Sequence, residues 1–190
     1  REKTLGYGEY VDDMEVEGLL HASAVRSKYP RAKVLSIDIE KAKAVPGIVD
    51  IFTAADIPGD IKVGHLVQDW DTMIPVGSIT HYLGDAIALV VGENLDAVEK
   101  AKKLVKVAYE ELPFVSNPHE AMKEDAPLVH RSGNLLAHKH VSRGNAKEAI
   151  ANAKYVYTEE FHTPWTEHAF LEPECAIGMP YEDGVLIYST

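Results

Sequence analysis

The 190-residue sequence predicts an α+β fold: a mixed sheet with strand-helix-strand units, followed by the beginning of a second α+β domain. Three observations predict it. An apolar run at residues 86–91 leads into a capped helical pattern and then an alternating segment. Residues 125–143 are polar and irregular, with Pro127, Gly133 and Asn134. Near the C-terminal end, two β-rich segments are joined by Glu182-Asp183-Gly184, whose Asp-Gly pair is a strong hairpin signal.

Taken in order, residues 34–38 alternate apolar and polar as a half-buried strand does. Helix formers at 40–44 follow, stopped by Val45-Pro46-Gly47, and 48–52 is the next strand. Asn94 can cap a helix on which Leu95, Val98, Ala101 and Leu104 share one face, with Glu99 and Lys103 four apart. At 105–109 the period changes from helical to alternating, and Pro113 ends that strand. Asn117-Pro118-His119-Glu120 supplies a cap, a first-turn proline and a third-position acid for a short helix through Lys123. Asn145 and Glu148 repeat the arrangement for a helix through Ala153, and residues 155–162 read as a strand. The segments 174–179 and 185–188 form the expected hairpin. The second runs into Thr190 with no turn after it, so its sheet is expected to continue in further residues.

Composition narrows the function classes. With 46% hydrophobic and 26% charged residues the chain can bury a core. The single Cys175 excludes an internal disulfide, and the longest apolar run is too short to cross a bilayer. Thirty acidic against nineteen basic residues give a formal charge of −11, which repels nucleic acid and anionic lipid. Without the regions of a signal peptide after Arg1, a cytoplasmic protein is expected.

Motif chemistry is sparse. Gly6-Tyr7-Gly8 has one of the spacings of a phosphate loop and joins no strand to a helix, and Gly-x-Ser-x-Gly and Cys-x-x-Cys are absent. His138 and His140 would face one side of a strand and could offer nitrogens to a metal, with His130 as a distant third. Their polar surroundings favour solvated surface histidines. Between Thr163 and Pro173, Glu167, His168 and Glu172 could do acid-base work if they faced a cleft. A histidine bonded to a backbone carbonyl at a strand end is the simpler reading. Cys175 has no adjacent cation to lower its pKa and reads as a small core residue. No catalytic, cofactor-binding or metal-ligating residue is assigned.

Read as an ordered series, several strings resemble the start of the molybdenum-cofactor-binding subunit of the xanthine dehydrogenase and aldehyde oxidase family. They are Gly8-Glu9-Tyr10-Val11-Asp12-Asp13, Gly18-Leu19-Leu20-His21-Ala22, Pro46-Gly47-Ile48-Val49, Ala88-Leu89-Val90-Val91 and Val107-Ala108-Tyr109-Glu110-Glu111-Leu112-Pro113. In the second part, Gly133-Asn134-Leu135, Glu167-His168 and Leu171-Glu172-Pro173 continue the match. The resemblance implies an α/β hammerhead domain at residues 1–115, a linker at 116–143 and a partial molybdopterin-binding domain at 144–190.

It further implies a molybdenum hydroxylase that oxidises an N-heterocycle or aldehyde with water as oxygen source. Molybdopterin would sit in the complete subunit, with 2Fe-2S and FAD on partner domains or subunits. The family's glutamine contact to the cofactor would follow Thr190 at once, and the catalytic glutamate lies further on, so the chain is expected to be an inactive N-terminal frame. Two departures stand out: Gly84-Asp85-Ala86 replaces a common Gly-Gln-Pro, and Thr166 stands where Gln often precedes Glu-His. Were those glutamines cofactor contacts, a different substrate or a divergent paralogue would follow. The alternative function is a non-catalytic interaction module that binds a separate cofactor-bearing chain.

Overall fold

The computed structural model describes residues 2–190. In chain order its elements are α1 (Glu2–Leu5), β1 (His21–Arg26), β2 (Ala32–Asp38), α2 (Glu40–Lys43), β3 (Ile48–Thr53), β4 (Lys62–Val63), β5 (Trp70–Asp71) and β6 (Ala86–Gly92). Then come α3 (Leu95–Lys102), β7 (Lys106–Glu111), α4 (Pro118–Ala121), α5 (Ala146–Ala151), β8 (Ala176–Tyr181) and β9 (Gly184–Ser189). The chain divides into a larger unit, Gly18–His138, and a smaller one formed by residues up to Glu17 together with Lys139–Thr190.

In the larger unit the apolar run becomes β6, the middle strand of a three-stranded sheet between β1 and β3. A strand covered on both faces needs apolar residues at successive positions, which is why no alternation is seen there. Ile87 packs with Val34 and Ile74, while Ala88 and Val90 pack with Ala42, Ile51, Val98 and Ala101. Asn94 caps α3 as expected, its Oδ1 accepting the Ala97 N–H at 2.9 Å. The buried face of α3 is Ala97, Val98 and Ala101. Leu95 and Leu104 stay exposed, Leu104 because the helix has ended at Lys102. For the same reason Glu99 pairs with Lys102 at 2.7 Å and not with Lys103, which is the C-terminal cap.

The strand-helix-strand unit does not close into one mixed sheet. Both edges of β6 are occupied, so β7 pairs with β2 instead, and every strand pairing among the described residues is antiparallel. The short α4 is capped by Asn117, whose Oδ1 accepts from His119 and Glu120 N–H. Asn134 then ties down the loop after it, accepting from Val129 N–H and donating to Ala121 and Pro127 carbonyls.

In the smaller unit, α5 has its expected cap: Asn145 Oδ1 accepts the Glu148 N–H, and the Asn145 amide donates to the Glu148 carboxylate at 2.7 Å. The predicted hairpin forms from β8 and β9, with Tyr181 opposite Gly184 and the turn on Glu182-Asp183, Glu182 at φ 50°. The strand expected at 155–162 is irregular chain instead. Its β-formers have no pairing partner among the described residues, since β8 and β9 pair with each other, and a strand requires a ladder.

Candidate functional site

Within the larger unit, the β4–β5 pairing sets Lys62 opposite Asp71 and Val63 opposite Trp70. Lys62 Nζ accordingly donates to Asp71 Oδ1 at 2.7 Å, and His81 Nε2 lies 3.3 Å from Asp71 Oδ2. The carboxylate of Asp71 is 7% exposed, so its partners compensate a charge largely removed from water.

Asp85 is buried at the start of β6 and answers for one of the two departures. Its Oδ2 accepts the backbone N–H groups of His81 and Tyr82, while the Ser27 N–H donates to the Asp85 carbonyl and the Ser27 carbonyl accepts the Gly84 N–H. A carboxylate here closes the 81–85 turn on itself, a job the short Asp side chain performs well. This turn presents Tyr82, whose ring meets Trp70 edge-to-face at 5.8 Å. Across from them, His130 Nε2 lies 3.1 Å from Asp69 Oδ2 and its Nδ1 2.6 Å from Ser132 Oγ. Trp70, Tyr82 and Val129 form the apolar side of a cleft of about 360 Å³, edged by Lys62, His81 and His130. That volume falls at the small end of ligand pockets. Sequence reasoning missed this cleft because its walls come from four separated segments. A Trp and a Tyr in otherwise polar loops were the available signal.

The smaller unit holds a second cleft, of about 670 Å³, lined by Lys3, Tyr10, Leu171, Glu172, Cys175 and Thr190. Cys175 is half-buried and not a core residue; burial, then the carboxylates of Asp12 and Glu172, push its thiol above the ordinary value, so it is no activated nucleophile. Of the three acid-base candidates only Glu172 lines this cleft. Glu167 accepts the N–H of His168 at 3.0 Å, and the His168 ring stacks on Phe170, all in exposed irregular chain. Thr166 is exposed beside them, and nothing in the structure explains its departure. His138 and His140 lie exposed on irregular chain, where their spacing gives them no common strand face. Among the described residues no group of three or more His, Cys, Asp or Glu converges as a metal site would require, and no helix is long and apolar enough to cross a membrane.

Comparison with known proteins locates the chain. Residues 5–113 match the family described as "Aldehyde oxidase and xanthine dehydrogenase, a/b hammerhead domain", and residues 129–190 match "Molybdopterin cofactor-binding domain". The chain is 30% identical over 184 residues to a probable xanthine dehydrogenase subunit of Bacillus subtilis (strain 168), covering 97% of this chain and 24% of that protein. It is 32% identical over 191 residues to the "Xanthine dehydrogenase molybdenum-binding subunit" of Escherichia coli O157:H7, covering 95% and 25%. The crystal structure of the aldehyde oxidoreductase from Desulfovibrio gigas superposes on 99% of the chain with a TM-score of 0.83 at 27% identity, using 22% of that structure. The chain thus spans about a quarter of the length of the curated relatives it matches.

Proposed function

Because the chain belongs to the aldehyde oxidase and xanthine dehydrogenase family, we propose that it forms the N-terminal frame of a molybdenum hydroxylase subunit. That subunit oxidises an N-heterocycle or an aldehyde with water as oxygen source. The observation that carries this reading is the tandem order of the two matches, hammerhead then cofactor-binding, along one chain that superposes almost entirely on a single oxidoreductase. On this reading the boundary between the domains falls in residues 116–143. Iron-sulfur and flavin partners pass the electrons on, and the complex works in the cytoplasm; the naming of both relatives as subunits supports the partners.

The residues present do not fit the molybdenum-pterin group itself. The cleft of the smaller unit, lined in part by the matched cofactor-binding region, is edged by Glu172 and Glu174, whose carboxylates oppose an anionic pterin phosphate, and Lys3 is its one cation. No buried polar side chain among the described residues is left unpartnered to meet such a group. No step of the reaction is therefore derived through it from this chain. What these residues contribute is a packed frame around β6 and the loops it holds in place.

The test is to tag this chain in its source cell, recover its complex under native conditions and measure molybdenum, iron and flavin together with oxidation of aldehydes and N-heterocycles in ¹⁸O-labelled water. We expect all three components to co-purify and the label to enter the product, with the isolated 190-residue chain inactive. A native complex devoid of molybdenum overturns the reading.

A further inference from the structure

We propose that the cleft walled by Trp70, Tyr82 and Val129 binds a small, neutral, planar heteroaromatic molecule. The inference stands on the cleft and not on the proposed oxidation. Trp70 and Tyr82 are 58% and 41% exposed, although their two rings already meet edge-to-face, so each keeps an uncovered ring surface beside the cleft. Large aromatics left open on a concave surface are the usual anchors for flat ligands, because ring stacking and desolvation act together. A volume of about 360 Å³ has room for a fused bicyclic ring.

Charge selects the class further. Most ionic groups at the cleft are committed internally: Lys62 to Asp71, His130 to Asp69, and Asp85 to two backbone N–H groups. The lining holds two cations, Lys62 and Arg131, and two carboxylates, Asp69 and Asp85, so it presents no net formal field to an ion. A cation would have to draw Asp69 or Asp85 away from its partners, and an anion approaching Arg131 meets the two carboxylates of the same lining. A neutral ring disturbs none of them. Its ring nitrogen can accept from the Arg131 guanidinium or the Gln68 amide, both of which line the cleft and are pure or partial donors.

The test uses benzimidazole as the probe, on whatever length of native subunit carries this chain. Carbethoxylation of His81 and His130 is read by peptide mass spectrometry and normalised to His138 in the same sample, which lies outside the cleft. We expect benzimidazole to slow modification of His81 and His130 several-fold, and benzoate and cyclohexanol, of similar size, to leave both unchanged. Trp70→Ala is expected to weaken the protection by about tenfold in benzimidazole concentration, the scale of a lost aromatic stacking surface. Since Trp70→Ala removes part of β5, Val129→Arg serves as the second variant: it obstructs the cleft from an exposed loop and is expected to abolish protection with the fold intact by circular dichroism. Absence of protection, equal protection by benzoate, or protection that survives Val129→Arg each overturns the proposal.

Discussion

The residues that looked most chemical in the sequence differ in what surrounds them, and the surroundings decide. Cys175 sits beside Glu172 in a cleft, yet its neighbours are carboxylates and partial burial, both of which favour the neutral thiol. A raised pKa means less thiolate at any given pH, so Cys175 is expected to react with iodoacetamide more slowly than free cysteine at pH 7.5. The midpoint of its pH-rate profile should lie above that of free cysteine measured alongside. A midpoint below that value would show that a cation, such as Lys3 of the same cleft, governs the thiol in place of the carboxylates. Asp85 teaches the opposite lesson. As a departure from a glutamine pattern it invited a functional reading, but its carboxylate is spent on the His81 and Tyr82 N–H groups of its own turn.

Among the elements, those with local causes were legible and those with distant causes were not. The caps at Asn94, Asn117 and Asn145 are three-residue events, and all three were readable from the sequence because a short polar side chain meets the first free N–H groups of the helix that follows it. The apolar run of β6 was readable because burial on both faces removes alternation. What the sequence could not convey is which edge each strand finds: β7 follows β6 through a helix but joins β2, and 155–162 has the composition of a strand without the ladder. The cleft at Trp70 was hidden for the same reason. Packing between β6 and α3 yields a sharp prediction at Gly92, where an added Cβ would lie 2.8 Å from the Gly47 carbonyl oxygen and 3.1 Å from Val98 Cγ2. Backbone cannot yield as a flexible side-chain tip can. Gly92→Ala is therefore expected to destabilise the larger unit by about 1–3 kcal/mol, the usual cost of overpacking, read as a lowered urea midpoint at constant slope. An unchanged midpoint would mean that β3 and α3 can separate freely at this point.

At the scale of the whole chain, apolar burial is uneven. The buried hydrophobic residues lie almost entirely between Ala32 and Ala101, with Ile177 the one exception beyond. In residues 152–175 the large side chains face water instead: Tyr157 is 92% exposed, Trp165 90% and Phe161 86%. A run of exposed aromatics on chain without ladder hydrogen bonds is what an interaction surface presents when its cover is another piece of protein. Such chain also opens at almost no free-energy cost, whereas β6 can open only with the core that surrounds it. Limited chymotrypsin digestion of the 190-residue chain is thus expected to cut first after Tyr155, Tyr157, Phe161, Trp165 or Phe170, and to leave residues 86–111 uncut at those early times. In the native complex the same bonds are expected to resist, because the rest of the subunit would cover the aromatics. Equal early cleavage in both samples would mean that this segment is a free surface loop and that the proposed frame makes its contacts elsewhere; early cleavage within 86–111 would contradict the placement of the core itself.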